Sequence, residues 1–295
     1  MLPCGMARCS LEGRMSMAKE DIERHYAEVA RMVQEAEKDL ATGFYIVREA
    51  RSACAIDERS EALNIYEERL VDGIPEKALV ASRGCGDPVS KAELQPGETV
   101  LDLGCGGGVD AIIASRLVGE AGKVYGLDMT ADMLVLAQEN AKAAGADNIV
   151  YLEGLIEDIP LPDESVDVVV SNCVINFSDD RPAVFREALR VLKASGRFVV
   201  SDIVEFGPVP ASAREDLCAI AGTTNGMLAA DEYLRLLEET GFAGATLEPK
   251  TIYTREVLHE KAARKDRLGH FRRISDADVD SKVGSAIIVA WKESR

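Results

Sequence analysis

Two groups of residues in this sequence have the types and spacing that chemistry requires: a glycine-rich turn and a set of scattered cysteines. The turn is VLDLGCGGG at 100–108, an apolar strand that runs into four glycines. Glycines at the carboxyl end of a strand let the backbone turn sharply and approach a ligand closely. Val109 stands where a dinucleotide-binding loop needs its third glycine. No Gly-Lys-Ser/Thr follows, which excludes a phosphate-binding P-loop.

An acid stands where a nucleoside ligand would need one. Asp128 ends the next predicted strand, 20 residues after Gly108, the last glycine of the turn. An acid at that place accepts hydrogen bonds from the two hydroxyls of a ribose, although Asp128 also precedes a helix and is in position to cap it. Asp102 would repel a diphosphate but suits a cation. The turn and its two acids therefore predict a nucleoside that carries positive charge, such as S-adenosylmethionine.

These residues carry a resemblance to a known family. VLDLGCGGG, together with GLDM at 126–129, is similar to class I S-adenosylmethionine-dependent methyltransferases over about residues 96–206. The resemblance implies that the glycines line the methionine half of the cofactor, that Asp128 holds the ribose and that Met129 packs on the adenine. It also implies an adenine edge formed by Ile156 and Glu157, the alternative for Glu157 being a solvated acid. The cofactor-binding set is Asp102, Gly104, Gly106, Gly108, Asp128, Met129, Ile156 and Glu157.

The seven cysteines are odd in number and widely spaced. The N-terminal residues lack the apolar core of a signal peptide. We therefore expect reduced thiols in the cytoplasm and no disulfide framework. Cys85 and Cys105 are expected to fill space as small apolar side chains, and Cys4 and Cys9 to lie in a tail.

The sequence SNCVIN at 171–176 carries a narrower resemblance. With GCGDP at 84–88, Cys54 and Cys218, it resembles arsenite methyltransferases over about residues 40–245. The resemblance implies that Cys54, Cys173 and Cys218 bind As(III), that S-adenosylmethionine donates the methyl group, and that a cellular thiol, glutathione or thioredoxin, is the reductant. It also implies arsenic detoxification as the function. Soft thiolates do select soft thiophilic ions, and three-coordinate As(III) keeps a lone pair opposite its sulfur ligands.

Two alternatives stay open. Ala53 and Ala55 flank Cys54 where family members often carry a further cysteine, so another specificity is possible: antimonite, a methylated arsenical, an organic thiol or another metabolite. The second alternative is a non-catalytic metalloid-binding protein on this scaffold, against which Asp102 and Asp128 argue. A structural zinc site is not expected, because the sequence has no Cys-x-x-Cys and no paired histidines.

Composition excludes several classes of partner. The chain has 295 residues, with 34 Lys and Arg against 51 Asp and Glu, a formal net charge of −17. Nucleic-acid binding and anionic membrane surfaces both require excess positive charge. No apolar run is long enough for a transmembrane helix. We expect a cytoplasmic monomer with a small-molecule substrate.

The elements that must position these residues follow from hydrophobic periodicity. Apolar strands at 99–103, 123–127, 148–152, 166–170 and 196–204 alternate with helical patterns, which predicts parallel βαβ units. Later helices at 212–221 and 230–240 and strands at 244–253 and 284–291 suggest an antiparallel finish. The fold class is α/β: a doubly wound, mostly parallel seven-stranded sheet with class I methyltransferase (Rossmann-like) topology, an N-terminal helical extension and a C-terminal α+β portion. The predicted division is a tail at 1–17, a helical cap at 18–95, a cofactor-binding core at 96–206 and a substrate-site region at 207–295.

Overall fold

The apolar strands that the periodicity predicts from Thr99 onward assemble into one sheet. A computed structural model describes residues 19–35, 37–38, 45–46, 65–223, 226–265 and 279–294. Its strands are β1 Glu37–Lys38, β2 Tyr45–Ile46, β3 Thr99–Leu103, β4 Lys123–Asp128, β5 Ile149–Glu153, β6 Val166–Asn172, β7 Leu192–Glu205, β8 Leu228–Ala229, β9 Phe242–Ile252 and β10 Val283–Lys292. Its helices are α1 Lys19–Glu35, α2 Glu68–Val71, α3 Glu76–Ala81, α4 Pro88–Lys91, α5 Val109–Val118, α6 Ala131–Ala144, α7 Arg181–Val191, α8 Ala211–Ala221, α9 Ala230–Thr240 and α10 Arg255–Lys265, with a 3-10 turn at Ile175–Phe177.

The main sheet has the order β5-β4-β3-β6-β7-β10-β9. β3 to β7 are parallel, and β10 lies antiparallel between β7 and β9. This arrangement confirms the doubly wound, mostly parallel fold with an antiparallel finish. The prediction of seven strands misses one, because β8 also pairs with β7. A strand of two residues is too short to show a period of its own.

Two apolar clusters enclose the sheet, one on each face. On one face α5 packs against β3 and β4 through residues such as Ile112 and Ile113. On the other face Phe185 of α7, Phe198 of β7 and Tyr233 of α9 form a buried aromatic group. With both faces covered, the open carboxyl ends of the parallel strands are where a ligand can bind.

Outside the sheet, the structure adds detail that the sequence pattern did not resolve. The predicted N-terminal helical extension contains α1, which ends at Glu35 and packs against α3 and α6. The chain between β9 and β10, for which the sequence pattern predicted no element, contains the helix α10. None of the described helices is long and apolar enough to cross a membrane. The expected tail at 1–17, with Cys4 and Cys9, and also Cys54, lie outside the described residues.

Candidate active site

A cavity that is open to solvent lies at the carboxyl ends of β3, β4 and β6. The turn after β3 forms its floor, and the residues that follow β4, β5 and β6 form its sides. Lys19, Ile22 and Tyr26 of α1 form a further wall. The N-terminal helix therefore covers the site where the α/β fold binds ligands.

The glycine turn forms part of the cavity surface, except at its last member. Gly104 and Gly106 line the cavity, both with positive φ, +70° and +50°. A Cβ at Gly104 would lie 2.5 Å from the Val174 side chain, so only glycine fits there. Gly108 caps α5 at φ +90°, and a Cβ there would meet Tyr151 and α6 rather than the cavity. Gly108 therefore supports the turn on the side that faces away from the cavity.

Asp128 lies on the cavity wall at the end of β4, with Met129 beside it. Its Oδ2 accepts the backbone N–H of Gly106 at 2.9 Å, and its Oδ1 accepts that of Thr130 at 2.9 Å. Burial raises the pKa of this carboxyl, and the two N–H donors partly offset the rise. The side chain therefore holds the glycine turn in place and also faces the position predicted for a ribose.

Asp102 is buried beneath the glycine turn and is 2% exposed. The backbone N–H of Ala111 donates to its carboxylate, and its Oδ2 has no hydrogen-bond partner among the described residues. Burial raises its pKa well above the ordinary value, and the nearby carboxylates Asp110 and Asp128 raise it further. Asp102 therefore lies beneath the turn and is not among the residues that line the cavity.

Ile156 and Glu157 line the other end of the cavity. Glu157 is not a solvated acid: its Oε1 accepts the Ser178 hydroxyl at 2.5 Å and pairs with Lys19 Nζ at 3.0 Å. The ion pair joins α1 to the predicted adenine edge.

Three polar side chains that sequence reasoning missed lie at the opposite end, and two of them, Asp110 and Tyr66, are buried. Asp110, the second residue of α5, accepts the Tyr66 hydroxyl at 3.1 Å and the Asn172 amide at 3.1 Å. Burial raises the pKa of Asp110 to about 7. Asp110 and Asn172 both line the cavity. One available signal was the SNCVIN motif, which includes Asn172.

Cys173 follows β6 with a positive φ of +60°, a conformation that costs a non-glycine residue about 1–3 kcal/mol. It lines the cavity and is disulfide-bonded to Cys85, with 6.0 Å between their Cα atoms. The expectation of no disulfide is therefore wrong for this pair, and Cys85 does more than fill space. Their separation of 88 residues hides the contact from any local pattern.

Cys218 lies on α8, half-buried and free. Burial raises the pKa of its thiol, while Arg214, one turn earlier, lowers it. Cys85, Cys173 and Cys218 all pack against one apolar cluster that contains Ile203. Within the described residues no three His, Cys, Asp or Glu side chains form a metal site.

Cys105 is buried and free. Its sulfur lies near Gly126, where an added Cβ would come within 3.1 Å of it. Burial raises the pKa of this thiol well above its ordinary value. Its surroundings agree with the packing role that the sequence predicts.

Known proteins are similar to this chain in sequence. A family model described as a methyltransferase domain matches residues 94–241. The arsenite methyltransferase of Halobacterium salinarum is 37% identical over 212 residues, which are 72% of this chain and 50% of that protein. The human arsenite methyltransferase is 31% identical over 234 residues, which are 75% of this chain and 61% of that protein. The chain thus spans about half to three fifths of the length of these curated relatives.

Solved structures agree with the sequence matches. A phosphoethanolamine N-methyltransferase of Haemonchus contortus, in complex with S-adenosylmethionine, shares the fold, with a TM-score of 0.56 at 18% identity over 70% of this chain and 51% of that one. An arsenic(III) S-adenosylmethionine methyltransferase from Chlamydomonas reinhardtii has a TM-score of 0.60 at 30% identity, over 77% of this chain and 72% of that one. Fold and overall sequence agree, and on these grounds the chain belongs to the arsenite methyltransferase family.

Proposed function

We propose that this protein transfers a methyl group from S-adenosylmethionine to trivalent arsenic held by cysteine thiolates, and so detoxifies arsenic. The observation that carries the proposal is the position of Cys173. It lines the same cavity as the glycine turn and packs against the same apolar cluster as Cys218. A soft ion bound there would lie beside the cofactor. We identify this ion as trivalent arsenic because the relatives are arsenite and arsenic(III) methyltransferases.

The residues around the cavity fit S-adenosylmethionine. Gly106 leaves open space where a side chain would stand, since nothing lies within 4 Å of its Cβ position. Asp128 is placed for the ribose, and the unpartnered Oδ2 of Asp102 favours positive charge nearby. We propose that all eight predicted cofactor-binding residues take part. Gly108 and Asp102 do not line the cavity and would act by holding the glycine turn in place. When bound, S-adenosylmethionine supplies an electrophilic methyl group on a sulfonium centre.

The cysteines would bind and orient the arsenic. Each thiol proton leaves with a hydroxide of arsenous acid as water, while an As–S bond forms, so the raised pKa of Cys218 is no obstacle. Three sulfur ligands leave a lone pair on the opposite side of the arsenic. We propose that Cys173 and Cys218 supply two ligands and Cys54 the third. Positioning then provides most of the catalysis, with no general base.

The Cys85–Cys173 bond must be reduced before Cys173 can bind arsenic. Two electrons and two protons from a pair of thiols open the bond and leave the donor oxidised to a disulfide. We propose glutathione or thioredoxin as the donor. The need for a reducing compartment supports a cytoplasmic location.

The proposed division of the chain follows the site. Residues 18–95 contribute α1 and Cys85, residues 96–206 hold the cofactor, and residues 207–295 bring Cys218 and complete the sheet. We propose 1–17 as a tail. A net charge of −17 supports a small-molecule substrate over nucleic acid, and we propose that one chain is sufficient for activity.

The direct test incubates the purified protein with S-adenosylmethionine, arsenite and glutathione or thioredoxin, and analyses the products for methylated arsenic. We expect Cys173→Ser and Cys218→Ser to abolish methylation. Cys9→Ser removes the same atom from the proposed tail and should leave the rate unchanged. Comparing Cys54→Ser with Cys85→Ser identifies the third ligand.

Two outcomes would contradict the proposal. Methylation that survives Cys173→Ser would exclude the thiolate mechanism. Arsenite binding without any binding of S-adenosylmethionine would favour a non-catalytic metalloid-binding protein.

A further inference from the structure

Asp110 occupies a position that neither the glycine turn nor the cysteines explain. It is the second residue of α5, only 8% exposed, yet it lines the cavity. Both of its oxygens are 3.1 Å from the hydroxyl of Tyr66, and Asn172 Nδ2 lies 3.1 Å from Oδ2. Two side chains from distant parts of the chain therefore fix the direction of this carboxylate.

The surroundings of Asp110 are negative. Both hydrogen-bond donors that fix it are neutral. Asp102 lies behind it, bound to the backbone N–H of the next residue, Ala111, with its Oδ2 buried and unpartnered. Asp87 adds further negative charge from the start of α4. A buried carboxylate among other carboxylates is stabilised most by a cation that enters beside it.

The position in the cavity limits which cation this is. The adenosine end, at Met129, Ile156 and Glu157, lies after β4 and β5. Asp110 and Asn172 lie at the β3 and β6 side, beyond the glycine turn. A ligand that spans the cavity from the adenine edge would therefore bring its amino-acid end to Asp110.

We propose that Asp110 binds the α-ammonium group of the methionine half of S-adenosylmethionine, with Tyr66 and Asn172 as the residues that position its carboxylate. The inference rests on the proposed function, because it takes S-adenosylmethionine as the cofactor. It assigns the charge recognition of the amino-acid end to a residue outside the glycine turn.

Calorimetric titration with three ligands tests this assignment. S-adenosylhomocysteine keeps the ammonium but lacks the sulfonium charge, and methylthioadenosine lacks the whole amino-acid half. We expect Asp110→Asn to lower the affinity for S-adenosylhomocysteine by about tenfold or more, the usual effect of losing a charged hydrogen bond. S-adenosylmethionine should lose affinity by the same factor, and methylthioadenosine should bind unchanged.

Asp132→Asn is the matched control. Asp132 is likewise the second residue of its helix, α6, and the substitution removes the same charge from a half-exposed side chain. We expect no change for any of the three ligands. Tyr66→Phe keeps the carboxylate of Asp110 and removes one of its hydrogen-bond donors. It should therefore lower the affinity for S-adenosylhomocysteine by a smaller factor and leave the affinity for methylthioadenosine unchanged.

The outcomes separate this inference from the proposed function. Equal affinity of wild type and Asp110→Asn for S-adenosylhomocysteine would overturn the inference, and so would an equal loss for methylthioadenosine in a variant that stays folded. If Asp110→Asn does not fold, an unchanged affinity of Tyr66→Phe for S-adenosylhomocysteine overturns it instead. A wild-type protein that binds neither S-adenosylmethionine nor S-adenosylhomocysteine would overturn the proposed function itself.

Discussion

The backbone N–H of Cys85 donates to Oδ1 of Asn172 at 2.9 Å, so the residue before Cys173 also holds the cysteine to which Cys173 is bonded. The Nδ2 group of the same side chain donates to the carbonyl oxygen of Gly86 at 2.7 Å. A Cβ at Gly84 would lie 2.5 Å from the same amide, so the loop around Cys85 fits closely against it. One side chain therefore sets the position of Cys85 relative to the end of β6.

Asn172→Ala should lower the free energy of unfolding by about 2–4 kcal/mol, because it leaves several part-buried donors and acceptors without partners. Urea unfolding measures the change. Gln138→Ala removes an exposed amide from α6 and should have little effect. A loss for Asn172→Ala no larger than that of the control would show that the loop is held by other contacts.

Tyr26→Ala should lower the affinities for S-adenosylhomocysteine and for methylthioadenosine by the same factor, about tenfold. Tyr26 lines the cavity from α1 and packs edge-on against Phe177, with 5.9 Å between ring centroids. Its loss opens the covered side of the cavity, whichever half of the ligand is present.

Glu23→Ala alters an exposed position of the same helix and is the control for Tyr26→Ala. Calorimetry gives, for each of the two ligands, the ratio of the dissociation constants of variant and wild type. Unchanged affinity in Tyr26→Ala would mean that α1 covers the cavity without contributing to binding.

Arg214→Gln should raise the pKa of Cys218, because the guanidinium one turn earlier on α8 stabilises the thiolate. Arg214 also pairs with the buried carboxylate of Glu205, whose charge it offsets. The rate of alkylation of Cys218 by iodoacetamide, followed by mass spectrometry across pH, should shift to higher pH in the variant. Arg235→Gln removes an exposed guanidinium from α9 and should leave the profile in place.

Asp202→Asn should change how stability depends on pH. Burial raises the pKa of Asp202 to about 7, with Arg181 and Asn176 partly offsetting the rise. An unfolded aspartate titrates at about 3.9, so between about pH 4 and pH 7 the folded chain keeps a proton that the unfolded chain releases. This group therefore lowers stability as pH rises through that window.

Urea unfolding of wild type and Asp202→Asn across about pH 5 to pH 8 measures this contribution. The stability of the wild type relative to the variant should fall towards pH 7 and then level off. The variant keeps an Oδ1 acceptor for the Asn176 amide and the Ile203 N–H. Parallel curves for the two proteins would contradict the raised pKa. Asp231→Asn, which removes an exposed carboxylate, should not alter the slope.

The central strands could be predicted from the sequence because each is a short apolar run bounded by turn residues. Thr99–Leu103 has the predicted bounds, and β4 extends the predicted strand by one residue. The helix α10 could not be predicted in the same way, since its polar sequence shows no apolar stripe. Its existence depends on tertiary contacts, such as those of the buried Leu258 with Tyr253 and Val279 in one cluster.

The candidate site was predictable where its residues follow one another in the chain. The glycine turn and Asp128 are local features of two adjacent βα units. Asp110 was not predictable, because its partners Tyr66 and Asn172 lie 44 and 62 residues away. Cys85 was assigned to packing for the same reason: its bond to Cys173 depends on how the loop around Gly84 is folded onto β6, and no local spacing encodes that contact.

The Cys85–Cys173 bond closes a ring of chain across 88 residues, and the glycine turn, Asp128 and the adenine edge all lie inside that ring. A cross-link over so long a segment restricts the unfolded chain by about 4–5 kcal/mol in the chain-entropy treatment. Reduction would therefore expose the thiol of Cys173 and remove this constraint in the same step. One covalent bond therefore couples the conformational freedom of the unfolded chain to the state of the Cys173 sulfur.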